Sequence, residues 1–178
     1  ILSRDSGEKL VGAQSDFTYE NLKFGYLDMQ ENIQQTKSLA VALAFVVGVA
    51  DGKLLDCEID LIKTWARGNI DDSQISKRTR RKFEKALNKT VAFFRSGNQV
   101  DFNEICREIA GIAPLAERYD ILELCMHVAG AKGTVGAEDM AVLKKLACQL
   151  EIDIGRFRDM MGRILPADMH CVEDAEVL

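Results

Sequence analysis

Residues 39–52 of the chain read LAVALAFVVGVADG, and this stretch decides the fold. Its first twelve residues are apolar or glycine, so a helix over them presents apolar side chains on every side. A membrane-spanning helix needs roughly 20 such residues, so the run is too short to cross a bilayer. We therefore predict a helix in the middle of a bundle, capped at its start by Ser38. Asp51 and Gly52 predict its end, because glycine readily adopts the left-handed conformation that terminates helices.

The helical pattern continues on both sides of this run. Apolar residues recur at spacings of three and four, which predicts a first helix from Phe17 to Ile33, and later helices are expected to be capped at Asp56, Asp101 and Asp153. No segment shows the alternation with period two that is typical of a half-buried strand. The sequence therefore predicts an all-α fold, a single-domain bundle of about seven or eight helices.

Composition and charge fit one globular domain. The 178 residues are 47% hydrophobic with a formal net charge of -5, which excludes a disordered chain. We predict a flexible leader over residues 1–16, the helical domain over 17–166 and an acidic tail over 167–178. Five cysteines without paired zinc spacing favour a reducing compartment, the cytoplasm. Because the sequence begins with Ile1, we expect it to be a fragment or a processed product.

The sequence contains an internal repeat. A shift of 81 residues aligns Leu43 with Leu124 and Gly52 with Gly133. The match continues in the pairs Val47 with Val128, Ala50 with Ala131, Leu54 with Val135, Glu58 with Asp139, Leu61 with Val142, Ile62 with Leu143 and Ala66 with Ala147. We predict two copies of a helix-turn-helix unit, packed face to face so that each buries the apolar face of the other.

Residues 49–59, VADGKLLDCEI, resemble the A-D-G-x-Φ-x-x-x-E turn (Φ apolar) of the TerB-like tellurite-resistance domain, which also occurs in DjlA-type membrane co-chaperones. A second copy is similar at 131–140, AKGTVGAEDM, and the resemblance covers about residues 38–165. Lys132 stands where the family usually has aspartate, and Cys57-Glu58 where it often has paired acids. The resemblance implies a non-catalytic domain of the bacterial stress response. It also implies divalent-metal binding and assembly at the inner face of a membrane through partners such as TerC-like proteins.

Carboxylates gather at both turns and are the candidate metal ligands. They are Asp51, Asp56 and Glu58 at the first turn, and Glu138 and Asp139 at the second. Ca²⁺ and Mg²⁺ prefer oxygen ligands, so a weak site for a divalent cation is predicted; the twelve-residue EF-hand loop is absent. The alternative is that these acids stabilise helix N-termini. Lys132 either replaces a cation in an internal ion pair or is a solvated lysine at a helix end.

A strongly basic helix is predicted from Asp71 to Phe94, with Glu84 as its single acid among the bases. Its candidate partner-binding residues are Lys77, Arg78, Arg80, Arg81, Lys82, Lys85 and Lys89. We expect them to attract a protein partner, such as a membrane protein, or an anionic membrane surface. Nucleic acid is not expected, because no aromatic residues interleave the charges. The alternative is a solvated face of a helix whose Phe83 and Leu87 pack in the core.

No catalytic motif is present. The sequence lacks a glycine-rich phosphate loop, a G-x-S-x-G elbow and an H-E-x-x-H or Glu-x-x-His pattern. Cys125 and His127 have no second pair to complete a metal site, and we expect both in the core. The leading interpretation is a non-catalytic TerB-like domain that docks on partners. A regulatory or adaptor domain of a larger, membrane-linked co-chaperone-like protein is the alternative, and an enzyme with a hidden polar cavity is a third.

Overall fold

The computed structural model describes residues 31–69 and 76–165, and these ranges contain seven helices and no strand. In chain order the helices are α1 (Glu31–Gly48), α2 (Asp56–Gly68), α3 (Lys77–Arg95), α4 (Phe102–Ile112), α5 (Leu115–Gly130), α6 (Ala137–Gln149) and α7 (Ile154–Ile164). The all-α prediction is confirmed for these ranges. The predicted leader and tail lie outside them, as do the predicted start of the basic helix at Asp71 and most of the predicted first helix.

Helix α1 lies in the centre of the bundle, as the sequence predicts. Residues 39–45 are completely buried, and α1 packs against α2, α3, α4, α5 and α6. Burying a side chain the size of Leu43 or Phe45 stabilises the fold by about 1.5–3 kcal/mol, so α1 holds α2 to α6 around it. Among the described helices, neither α1 nor any other is long and apolar enough to span a membrane.

Two apolar cores share α1 and α5. Leu39 and Leu43 belong to the first core, which is completed by α4, α6 and α7. Phe45 belongs to the second core, together with residues of α2 and α3. There its ring stacks on that of Phe94 with 5.4 Å between the centroids. Because α1 and α5 contribute to both cores, their mutual packing connects the two sides of the molecule.

Two of the predicted helix caps are confirmed. The carboxylate of Asp101 accepts a hydrogen bond from the N–H of Glu104 at 3.0 Å, at the start of α4. Asp153 accepts one from the N–H of Arg156 at 3.0 Å, at the start of α7. Each bond satisfies a backbone donor that the first turn of a helix leaves unpaired.

The other two predicted caps are wrong. Ser38 lies inside α1 and is fully buried, because the helix extends back to Glu31 and apolar burial around Ser38 outweighs its capping preference. Asp56 is the first residue of α2, and the extended residue Leu55 occupies the N-cap position. Asp56 therefore places its charge in the first turn, where the helix dipole favours it.

Arg118, on α5, ties the ends of two other helices together. Its guanidinium donates hydrogen bonds to the carbonyls of Ala110 at 2.7 Å and Ala113 at 2.9 Å, at the end of α4. It also reaches the carbonyl of Leu150 at 3.3 Å and the carboxylate of Glu151 at 2.9 Å, just after α6. One side chain thus satisfies carbonyls that both helix C-termini would otherwise leave without partners.

Candidate functional site

Two glycine turns have the same backbone geometry. The first follows α1 and contains Gly52, with φ of 91°; the second follows α5 and contains Gly133, with φ of 85°. L side chains rarely adopt this left-handed conformation. The N–H of Gly52 donates to the carbonyl of Val49 at 2.9 Å, and the N–H of Gly133 to that of Gly130 at 3.0 Å. Both predicted turns are confirmed.

A buried carboxylate follows each turn. Glu58, the third residue of α2, accepts a hydrogen bond from the N–H of Leu55 at 2.8 Å. Asp139, the third residue of α6, accepts one from the N–H of Gly136 at 2.9 Å. The two residues are 1% and 2% exposed, respectively. Neither N-cap residue has a side-chain oxygen, so these return bonds fasten the starts of α2 and α6.

Lys132 connects the two turns. Its Nζ lies 2.8 Å from Oδ2 of Asp139 and also donates a hydrogen bond to Oδ2 of Asp51, in the first turn. The lysine side chain is 15% exposed and that of Asp51 28%. Glu58 is close enough to interact electrostatically with all three charges. We call Asp51, Glu58, Lys132 and Asp139 the acid–lysine cluster.

The environment of the cluster shifts the pKa of three of its members. Burial raises the pKa of Glu58, although the N–H of Leu55 and the charge of Lys132 act in the opposite direction. The hydrogen bond from Lys132 lowers the pKa of Asp51. Burial alone would lower the pKa of Lys132, but its bonds to Asp139 and Asp51 outweigh this and raise the pKa. Lys132 is therefore charged at neutral pH.

The structure brings together three of the five predicted metal ligands. Asp51, Glu58 and Asp139 belong to the acid–lysine cluster, whereas Asp56 and Glu138 do not. The Asp56 side chain is 87% exposed and forms an ion pair with Arg95 of α3. Glu138 is exposed at the start of α6.

The described residues do not fit a divalent cation while Lys132 is in place. Within residues 31–69 and 76–165, no group of three or more His, Cys, Asp or Glu side chains could hold a metal ion. Oxygen atoms of Asp51 and Asp139 are already bonded to the Lys132 ammonium. An ion at this position would have to displace the ammonium group. The predicted metal site stays a prediction.

Helix α3 carries the basic candidate residues on its solvent side. All seven predicted partner-binding residues, Lys77, Arg78, Arg80, Arg81, Lys82, Lys85 and Lys89, are exposed. The opposite side of the helix is buried, with Phe83, Leu87 and Phe94 in the second core. Glu84 is bound on both oxygens by Arg67 of α2, at 2.7 and 2.9 Å. We call the seven exposed bases the basic face of α3.

A cleft of about 580 Å³ lies between α1, α2 and α5 and is lined partly by Trp65 and His127. The expectation of a core histidine is wrong: the His127 side chain is half exposed and lies 3.8 Å from Glu123, one turn earlier. Cys125 is fully buried, as predicted, and burial raises the pKa of its thiol. In the wall of the cleft, the ammonium group of Lys37 lies over the ring of Trp65, 5.2 Å from its centroid. The face of this ring is therefore already in a cation–π contact within the protein.

Sequence reasoning left the role of Lys132 open and did not identify Asp51 as its partner. The signal was present, because Asp51 and Lys132 are separated by 81 residues, the shift that also aligns Glu58 with Asp139. Corresponding positions of the two turns therefore carry opposite charges. The ion pair of Asp56 with Arg95 has no counterpart in the aligned sequence, where residue 137 is alanine.

A family model described as "Tellurite resistance protein TerB" matches residues 37–161, which include α2 to α6 and most of α1 and α7. No curated protein and no solved structure matches the chain significantly. The family match contains both glycine turns, the acid–lysine cluster and the basic face of α3. The chain therefore belongs to the TerB family of tellurite resistance proteins.

Proposed function

We propose that this TerB domain is non-catalytic and that it docks on an anionic membrane surface through the basic face of α3, in a stress response of the tellurite-resistance type. The family membership supports the stress-response role, and the family is generally non-catalytic. The observation that carries the docking proposal is the exposure of seven Lys and Arg side chains on one helix whose acid, Glu84, is bound by Arg67.

The basic face of α3 is carried by a helix whose opposite side is packed in the second core. From Lys77 to Lys89 it extends over about 18 Å, given a rise of about 1.5 Å per residue. Burial of Phe83, Leu87 and Phe94 fixes the helix to the second core, so binding does not have to order its backbone. Each Lys or Arg near an anionic leaflet contributes about 1 kcal/mol, within a screening length of about 8 Å.

A lipid surface suits this face better than a protein partner does. Four of the seven bases are lysine, a residue that is depleted at the centres of protein interfaces. Large exposed hydrophobic residues in the described ranges are Leu55, Leu115 and Ile154, and none of them lies on α3. The basic face therefore lacks the aromatic or apolar anchors that dominate protein–protein binding energy. The same face would serve an adaptor domain of a larger membrane-linked protein.

Sedimentation with lipid vesicles tests the proposal. The chain should bind vesicles rich in phosphatidylglycerol and leave phosphatidylcholine vesicles unbound, and high salt should release it. Arg81→Glu combined with Lys85→Glu should weaken binding at least about tenfold, because two attractive charges become repulsive. The matched control is Arg107→Glu with Arg158→Glu, which makes the same charge change at exposed positions on α4 and α7.

Equal losses in the double variant and its control would contradict docking through α3, and binding to neutral vesicles would contradict the electrostatic mechanism. Tighter binding to an acidic polypeptide such as polyglutamate would favour a protein partner. Duplex DNA that competes as well as the anionic vesicles would show that any polyanion suffices and overturn the lipid assignment.

A further inference from the structure

We infer that the Lys132 ammonium is the resident cation of the acid–lysine cluster: it holds the two glycine turns together in the place of a divalent ion, and the fold of this chain requires no such ion. The inference concerns the interior of the molecule and is independent of docking through α3.

Lys132 lies between the two glycine turns. Its ammonium group contacts one carboxylate from each turn, Asp51 after α1 and Asp139 at the start of α6. The carboxylate of Glu58 makes no direct bond to this ammonium but is near enough to interact with its charge. Removing the charge would leave three acids in mutual repulsion, two of them almost completely buried. A group of this kind either takes up protons or takes up a cation.

The carboxylate oxygens that bind Lys132 are also the kind of ligand that a divalent ion requires. Ca²⁺ and Mg²⁺ bind carboxylate oxygens at about 2.0–2.6 Å, which is shorter than the 2.8 Å between Lys132 Nζ and Asp139 Oδ2, so an ion and the ammonium group cannot share these oxygens. An ion that bridged the two turns would use the oxygens that the ammonium now occupies. Lysine and a divalent ion are therefore alternatives at this position, and the low exposure of Lys132 means that its displacement would be opposed by the packing around it.

The Lys132 ammonium is covalently attached to the second turn, unlike a bound metal ion. The ion pair of Lys132 with Asp51 joins residues 81 apart, across the packed pair α1 and α5. Because the cation is covalently part of the second turn, its local concentration does not fall when divalent ions are depleted. The junction between the turns is therefore insensitive to chelators.

Thermal unfolding of the full chain tests the inference, with each protein measured in EDTA, in millimolar CaCl₂ or MgCl₂, and in NaCl of equal ionic strength. The midpoint of the wild type should be the same in all three. Lys132→Ala should lower the midpoint in EDTA by about 10 °C, because it leaves buried carboxylates uncompensated. Calcium or magnesium should restore at least half of this loss, since alanine leaves room for an ion, and NaCl should restore little.

Two further variants control the experiment. Lys132→Met keeps the length of the side chain and removes its charge, so its midpoint should fall without recovery in calcium. Lys53→Ala removes an exposed lysine beside Gly52 in the first turn, and should leave the midpoint and its independence of calcium unchanged.

Three results would overturn the inference. The first is a wild-type midpoint that rises with calcium or magnesium beyond the NaCl control, or calorimetric binding of either ion to the wild type. The second is a Lys132→Ala midpoint in EDTA equal to that of Lys53→Ala. The third is a loss in Lys132→Ala that no divalent ion restores. If Lys132→Ala does not fold in any buffer, calorimetry on the wild type decides alone.

Discussion

The two glycine turns have similar backbone conformations but carry opposite charges at one aligned position. Gly52 and Gly133 have nearly the same φ, and a buried acid follows each at the third position of the next helix. One aligned position differs in sign, with Asp51 in the first turn and Lys132 in the second. Because the turns face each other, this difference creates an ion pair between them. A single change of charge at matching positions thus converts a repulsive arrangement into an internal bridge.

The largest effect is expected for the two buried acids, which differ in their partners. Asp139→Ala removes the acceptor of the Gly136 N–H and also the buried partner of Lys132, and should cost about 3–5 kcal/mol. Glu58→Ala removes the acceptor of the Leu55 N–H but no direct bond to Lys132, and it also relieves repulsion from Asp51 and Asp139, so it should cost only about 1–3 kcal/mol. Urea unfolding at neutral pH measures both. Equal losses would show that the direct bond from Lys132 to Asp139 adds no stability.

Exchanging the charges of the turns should have the next largest effect. Asp51→Lys alone should cost about 2 kcal/mol, since it places a second ammonium beside Lys132 at a partly exposed position. Adding Lys132→Asp should recover more than half of that loss, because Lys at position 51 would face Asp at position 132. A double-mutant cycle in urea measures the coupling. A double variant less stable than either single variant would contradict the equivalence of the turns.

The turn glycines should respond equally and less strongly. Gly52→Ala and Gly133→Ala should each cost about 1 kcal/mol, because alanine is strained at positive φ although no atom lies within 4 Å of the added carbon. Gly111→Ala is the control: it lies within α4 with the same open surroundings, and alanine there should be neutral or stabilising. Unequal losses at Gly52 and Gly133 would show that the two turns carry different strain.

The smallest effect is expected where the turns differ on the surface. Asp56→Ala gives the first turn the alanine that the second has at position 137, and removes the ion pair with Arg95. Both side chains are well exposed, so the free energy of unfolding should change by less than about 0.5 kcal/mol. A loss above about 1.5 kcal/mol would place Asp56 among the residues that hold α2 against α3.

The sequence predicted those features that local chemistry decides. The buried run of residues 39–45, the turns at Gly52 and Gly133, and the caps at Asp101 and Asp153 follow from side-chain polarity and from the freedom of glycine. The cap predicted at Ser38 was wrong because the preference of serine for helix N-termini competes with the burial of apolar side chains along the whole of α1. Burial in the packed core outweighs that preference.

The acid–lysine cluster could be predicted only in part. Asp51, Asp56 and Glu58 lie within one short stretch, and nothing local says which of them points toward Lys132. That selection depends on how α1 packs against α5, which sets the first turn against the second. The exposure of His127 has the same origin, because its neighbours on α5 are buried and only the packing decides which side of that helix faces solvent.

Arg118 has a consequence for local opening of the bundle. Its guanidinium holds the carbonyls of Ala110 and Ala113, at the end of α4, and that of Leu150, after α6. Fraying of either helix end must break bonds to the same side chain, so amide hydrogens at both ends should exchange with solvent deuterium at linked rates. In Arg118→Met the two ends should exchange independently and faster, and this part of the domain would open in two steps instead of one.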